Sequence, residues 1–526
     1  MRGIKLFLVI AMLLCVAPLS ACDSSAAGAT IYFDGVSMPK NIDPQLAASD
    51  LELTVAGNVF DGLFRMVGTE AKPALCGNYT VSDDKLEYKF MLVSGAMWSD
   101  KRPLTAHDFV FGIRRALDPA TKSPNAHLLA NIKGAADVLS GAKSVSTLAV
   151  SATDDNTLII GLQSPDDRFT EALCNPVSYP CNEEFFIDCK GRYGLIGDMV
   201  LSCGPFYLSR WRENANMRLI RNENYKGTFK ATPKQAIISF TKGDDERVTR
   251  FLDGSLDLVY IGGDQLGRVQ TAGLNTLQTE NTAYILVCSN TNAFFSDSEV
   301  RKALFCGLDR SQCIVSAPAY FRSLKGMIPD TAISLEAIYR PNKEVNIPFS
   351  FNAGQAHAKW ISLTKNNSKA PSSVTLHYPD DGGMQEIAGL MAQSWQQNLG
   401  LYVTLSALPR NKMPALVRGG DFQIALYPVS PATNDAKSYL TAFSSGEPLE
   451  NYSSQDFKSA YNNIGRNLGE REYIARVGAA EQALLDSMTT LPMVSGGAIL
   501  AIGTGIDGVQ TGRSGNTVYF YDIIKP

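Results

Sequence analysis

The chain has 526 residues, of which 45% are apolar and 19% charged. That balance suits well-packed cores and excludes a disordered chain. With 48 basic and 52 acidic residues the net charge is −4, and no Lys/Arg run stands out, so nothing points to nucleic acid. At roughly 100–200 residues per domain, the length predicts three domains or two large lobes.

The first element in chain order is an export signal. Arg2 and Lys5 precede the apolar stretch Leu6 to Val16, which is too short to span a bilayer as a mature helix. Leu19-Ser20-Ala21-Cys22 follows, with small residues ahead of a cysteine. This arrangement resembles the bacterial lipoprotein signal, in which the cysteine is lipidated and becomes the new N-terminus. It implies a leader over 1–21, lipid on Cys22, and a tether over 22–28. Loss of Arg2 and Lys5 leaves 46 basic against 52 acidic residues, a net charge of −6. The expected location is outside the cytoplasm, anchored to the outer face of the cytoplasmic membrane. Eight cysteines remain beyond Cys22. An even count in an exported chain permits disulfides, with Cys174, Cys181 and Cys189 the cluster to test; buried free thiols are the alternative.

Ile31-Tyr32-Phe33 predicts the first strand, and Pro39 and Pro44 punctuate the loop after it. Apolar residues at helical spacing predict a helix over Leu51 to Phe64. Asn78 to Leu92 reads as a hairpin, turning at Asp83-Asp84-Lys85, with Leu86, Tyr88 and Phe90 alternating. Thr105 is the expected N-cap of a helix through Ala116, which Asp118-Pro119 ends. A turn at Asp154-Asp155-Asn156 leads into a strand over Thr157 to Leu162. Strand-like stretches run from Gly204-Pro205-Phe206-Tyr207 to Asn224, and Arg247 to Leu252 reads as helix. From Tyr284 strands and helices alternate: strand Tyr284 to Cys288, helix Ser298 to Leu308, strand Val374 to Tyr378, helix Gln385 to Asn398 closed by Gly400, and strand Tyr402 to Leu405. Such alternation predicts an α/β domain.

Motifs for catalysis or cofactors fail in context. Gly503, Gly505 and Gly508 match GxGxxG, but turn and strand residues follow where a helix N-terminus would have to hold pyrophosphate. Ser140 and Lys143 match SxxK without the accompanying elements. His107, His127, His357 and His377 are scattered. The carboxylate pairs Asp83-Asp84 and Asp380-Asp381 sit at expected turns. No cofactor or metal is expected, and an enzyme is poorly supported.

Several stretches, in order, resemble the bacterial extracellular solute-binding proteins of family 5, the oligopeptide- and dipeptide-binding components of ABC importers. Asn41-Ile-Asp43-Pro44 resembles an early "DP" loop, and Asn58-Val-Phe-Asp61-Gly62-Leu63 resembles "N-x-F-E/D-G-L". Val81 to Pro124 carries the long "VSDDG…Y-x-F-x-L…W-SDG-x-P…TA-x-DFV" pattern, with Lys85 and Lys101 where the family usually has glycine. Gly204-Pro205-Phe206-Tyr207, Asp297 to Leu304 and Tyr378 to Gly382 extend the likeness over nearly the whole mature chain.

The resemblance implies a two-lobed, three-domain α/β fold of the type II periplasmic-binding-protein kind, closing on a ligand like a hinged trap. One lobe would combine 29–50, 166–277 and 496–526, with a domain of 51–165 inserted in it. The second would run over 278–495, with hinges near Thr282-Ala283 and Pro492-Met493. Trp98, Leu104 and Phe109 are expected to pack the inserted domain. The implied function is capture of a peptide without chemical change and its delivery to ABC permease subunits by a monomer. A non-peptide solute (nickel chelate, sugar or opine-like) and a peptide-sensing receptor are alternatives, and a lipoprotein hydrolase is the weakest. The family places an acid for the peptide amine in a stretch like "W-x-x-D-Y-x-D/E". Anchored on Tyr439-Leu440, its tryptophan becomes Val429, followed by Ser430, and its aspartate becomes Ala432. Asp435 falls at the later acidic position, so either Asp435 or another acid takes the role, or the ligand lacks a free amine. Met38, Pro39, Asn125, His127, Cys203, Gly204, Asn451 and Tyr452 complete the expected ligand contacts.

Overall fold

A computed structural model describes residues 28–526, apart from Ser37, Thr69, Glu213, Asn214, Ala319, Glu336, Asp381, Ala432, Arg466, Asn467 and 513–516. The leader, Cys22 and most of the tether lie outside the described residues, and so does Ala432. Two large sheets dominate. The first has seven strands in the order Asn275–Gln278, Ile499–Ile502, Leu258–Ile261, Thr30–Asp34, Gln235–Ser239, Asn216–Arg221 and Phe206–Arg212. Thr30–Asp34 lies parallel to both neighbours, with Thr30 opposite Gln235 and Phe33 opposite Leu258. This sheet therefore needs the start, the middle and the end of the chain together.

A separate four-stranded antiparallel sheet runs Cys76–Val81, Glu87–Leu92, Thr157–Gly161, Val150–Asp154. The expected hairpin forms its first two strands, and Tyr88, Phe90 and Leu92 face inward in strict alternation. Helix Ala106–Leu117 covers it, with Thr105 and Asp108 closing a reciprocal cap. Trp98, Leu104 and Phe109 are buried beneath, each large side chain contributing about 2–3 kcal/mol by its burial. Lys85 and Lys101 adopt φ of 57° and 73°, the left-handed turn conformation that glycine takes without strain.

The second large sheet has six strands: Arg322–Ser323, Thr490–Gly496, Thr282–Cys288, Ile424–Val429, Val374–Pro379 and Val403–Leu408. Val374–Pro379 and Val403–Leu408 pair in parallel across helix Met384–Leu399, which Gly400 ends at φ 67°. The three strands Thr490–Gly496, Thr282–Cys288 and Ile424–Val429 are buried along their whole length.

The chain crosses between the two large sheets twice, side by side. Gln278 still faces Ile499 in the first sheet, while Thr282 already faces Gly496 in the second. Between them the Thr279 amide donates to the Ala498 carbonyl at 3.0 Å, and the Ala498 amide to Thr279 Oγ1 at 3.0 Å. The expected hinge at Pro492-Met493 instead lies inside a strand, with Pro492 opposite Ile285. One core cluster contains Val259 and Ile261 of the first sheet together with Tyr284 and Val494 of the second. The predicted helix over Leu51 to Phe64 is shorter, Asp50–Val59, because Asp61 turns to pair with Arg65 and Phe64 starts a strand. No helix among the described residues is long and apolar enough to cross a membrane.

Candidate functional site

The two halves face each other across a groove. It holds two cavities of about 460 and 470 Å³ and a smaller pocket of about 70 Å³, and Asn175 and Thr433 border all three. One wall comes from the first half, through Leu53, Asn125, His127 and Leu128. The other comes from the second, through Tyr427, Val429, Ser430 and Met413. Cavities of this size enclose ligands of drug to short-peptide dimensions.

The second wall has an open strand edge. Ile424–Val429 pairs with Thr282–Cys288 from Ile424 to Val429. On its other side, among the described residues, the ladder covers Ile424 and Ala425, opposite Leu376 and His377. Beyond that point Tyr427, Pro428 and Val429 border the cavity, so this edge is geometrically available to an extended backbone. Ser430 Oγ is anchored by Thr282 Oγ1 at 2.7 Å and by Arg410 Nη2 at 2.5 Å. Asn125 Nδ2 donates to the Ala47 carbonyl at 3.2 Å, which fixes its amide at the rim. His127 is exposed and borders both large cavities.

Asp435 lies in the second cavity, but its carboxylate is occupied. Arg168 Nη1 donates to Oδ2 at 3.1 Å across the groove, and Tyr473 Oη reaches Oδ1 and Oδ2 at 3.0 and 2.8 Å. Oδ1 also accepts from the Ser438 amide at 3.3 Å, capping helix Ala436–Thr441. Arg168 grips Glu171 as well, Nε and Nη2 donating to its two oxygens at 2.8 and 2.6 Å. Burial alone would lower the Arg168 guanidinium; the Glu171 hydrogen bonds and the Asp435 charge more than offset it and leave it raised. Burial first, and then the adjacent Asp435 charge, raise the Tyr473 phenol.

Other expected contacts sit elsewhere. Cys203 and Gly204 are buried, their amides donating to the Val59 carbonyl at 3.1 and 2.9 Å. A Cβ at Gly204 would meet the Phe60 carbonyl oxygen at 2.6 Å, so glycine is required by close packing there. Tyr452 is a core residue, 1% exposed, its Oη donating to the Val417 carbonyl. Asn451 is exposed and its carbonyl accepts from Asn290 Nδ2 at 2.6 Å. Met38 is half-buried and Pro39 buried, just before Lys40 and Asn41, whose amides bond Glu52. None of these six is among the residues that border the cavities.

Sequence reading missed Arg168, Glu171, Asn175, Arg410, Thr433 and Tyr473. The one available signal was the charged stretch from Asp166 to Glu171, next to an expected domain boundary. The remaining motifs resolve as scaffold. Gly505 and Gly508 are turn glycines at φ 73° and 69°. Ser140 Oγ donates to the Asp137 carbonyl, and Lys143 pairs with Asp137. His107 stands at the surface, 3.8 Å from Asp155. All eight described cysteines are free thiols, seven of them buried. No metal-holding cluster occurs among the described residues.

Comparison with known proteins agrees with this architecture. The probable deoxycholate-binding periplasmic protein YgiS of Escherichia coli K12 is 27% identical over 443 residues, 82% of this chain and 81% of its own. The oligopeptide-binding protein OppA of Bacillus subtilis 168 is 26% identical over 516 residues, 92% and 93% of the two chains. Among solved structures, the E. coli murein tripeptide binding protein MppA superposes with a TM-score of 0.81 at 20% identity, covering 95% of this chain and 99% of its own. An unliganded open form of MppA, with 95% and 98% coverage at 20% identity, gives 0.70. Residues 70–451 match the family described as "Bacterial extracellular solute-binding proteins, family 5 Middle", and with that match the chain belongs to the bacterial extracellular solute-binding proteins of family 5.

Proposed function

We propose that this protein captures peptides in the groove between its lobes and delivers them, unaltered, to the permease of an ABC importer, tethered to the membrane by lipid on Cys22. The observation that carries the reading is the groove itself, whose walls come from both halves of a chain that crosses between them only at paired strands. A ligand touching both walls stabilises the closed arrangement, so binding energy drives closure. The open edge at Tyr427 to Val429 favours an extended backbone, because main-chain hydrogen bonds do not depend on side-chain identity. Asn125, His127, Val429 and Ser430 are the proposed ligand contacts, and Ala432 is proposed with them from the sequence. The lobes would follow the division 29–50, 166–277 and 496–526 against 278–495, with 51–165 inserted, and the working form would be a monomer. Relatives named as oligopeptide- and dipeptide-binding proteins support the ligand class.

Native mass spectrometry of the full chain, purified without refolding, tests the reading. A ladder of co-purified masses that fragments as peptides is expected. A single non-peptide mass would replace it with the second reading, an amphipathic or chelating solute. That alternative has its own support in the deoxycholate-binding name of one relative and in the alanine where the family usually carries an acid.

A further inference from the structure

The second cavity has four carboxylates on its lining, Asp166, Asp167, Glu171 and Asp435, and each already has a donor from the protein. Lys85 Nζ holds Asp167 at 2.8 Å, and the Arg168 amide donates to Asp166 at 3.1 Å. Glu171 and Asp435 share the Arg168 guanidinium. The side chains of Arg168 and Asp435 are 27% and 12% exposed, so the pair is partly shielded and its attraction is strengthened over that of a surface pair. Three charge-assisted bonds hold this guanidinium, and its fork geometry spans two carboxylates that a single ammonium would not bridge. Tyr473 and the Ser438 amide use the remaining acceptor capacity of Asp435.

We infer that Arg168 is a specificity-determining residue: it occupies on Asp435 the place a ligand's ammonium would take, so that Asp435 closes the groove instead of reading the ligand's charge. The acid nearest to the position where the family's amine-binding aspartate is replaced by Ala432 is thereby converted into one half of a bridge between the lobes. The ligand end in this cavity is then selected without a requirement for positive charge. Each lobe contributes one partner, so opening the groove exposes both to water, where they separate at little cost.

The inference rests on the peptide reading of the groove, and one experiment separates the two. Affinities are measured for a tetrapeptide library with free amino termini and for the same library N-acetylated, on the wild type, Arg168→Gln, Asp435→Asn and the double variant. Asn at 435 keeps an acceptor for Tyr473 and for the helix cap, so the variant retains the local fold. On the wild type, Asp435→Asn is expected to change both affinities by the same factor. Arg168→Gln frees Asp435, and the preference for free amines should rise by about tenfold, then vanish in the double variant. A wild-type preference for free amines that Asp435→Asn removes would overturn the inference while leaving the peptide reading intact, and so would an Arg168→Gln protein with unchanged preference. Binding of neither library sinks the peptide reading and the inference with it.

Discussion

Two guanidinium–carboxylate pairs in this molecule use the same chemistry for opposite ends. Arg65 and Asp61 are one helical turn apart in sequence, 3.1 Å apart in space and wholly buried. Tyr519, Tyr521 and Phe229 enclose the guanidinium, 4.7, 5.0 and 5.4 Å from their ring centres. Burial alone would lower this arginine, but the Asp61 charge together with Tyr179, Tyr519 and Tyr225 more than offsets it and holds it raised. Arg168 and Asp435 are 267 positions apart, partly wet, and joined across the groove. A sealed pair is strongly destabilising to break, because the survivor is left as an uncompensated buried charge. A pair that water can reach is weak enough to be made and unmade as the lobes move. Location, not residue type, decides which is scaffold and which is moving part.

The comparison is broken most directly by removing one cation from each pair. Arg65→Met leaves Asp61 buried without its counter-charge and should cost about 3–5 kcal/mol, seen as a lower midpoint in urea unfolding. Adding Asp61→Asn should recover part of that loss, since the orphaned charge is then gone.

Glu52 sharpens the contrast as an intermediate case. Its two oxygens accept from the Lys40, Asn41, Ala48 and Ser49 amides at 3.0–3.2 Å. Burial pushes this carboxyl up, but the four backbone bonds more than offset it and leave it lowered. Stability from a lowered carboxyl is present above the unfolded value of about 4.3 and is lost as pH falls through the folded value. Glu52→Gln should therefore cost about 1 kcal/mol at pH 7, with the gap to wild type closing on acidification below about pH 4, as read by thermal unfolding across pH.

At the groove, Arg168→Gln should lower stability by under about 1 kcal/mol while enlarging the radius of gyration of the ligand-free protein in small-angle scattering. A stability loss as large as that of Arg65→Met would erase the distinction between the two pairs. The smallest effect is expected where the cost lies in the backbone. Lys101→Gly relieves the strain of a left-handed lysine and should raise stability by about 0.5 kcal/mol, part of the gain being offset by the greater freedom of glycine when unfolded.

What the sequence disclosed follows the same physical line. The hairpin around Asp83-Asp84-Lys85 was legible because Tyr88, Phe90 and Leu92 alternate on a sheet with one wet face. Ile424–Val429 and Thr490–Gly496 were not, because strands buried on both faces carry no alternation to read. Asp435 was visible as an acid in a stretch resembling the family's ligand segment. Its occupancy was invisible, since Arg168 and Tyr473 meet it only through the fold. Cys203, Gly204 and Tyr452 look like candidates when read in line, yet close packing against Val59, Phe60 and Val417 accounts for all three.

The seven-stranded sheet has a temporal consequence. Thr30–Asp34 cannot be flanked until Gln235–Ser239 and Leu258–Ile261 exist, and Leu258–Ile261 then waits for Ile499–Ile502. Among the described residues, Asn58 is satisfied by the Val518 carbonyl and the Phe520 amide, at 2.8 Å each, apart from its bond to Thr54. A nascent chain appearing N-terminus first therefore holds its earliest strand without its full pair of neighbours until Leu258–Ile261 has emerged, and Asn58 without its distant partners until almost the last residue. Such late closure makes folding slow.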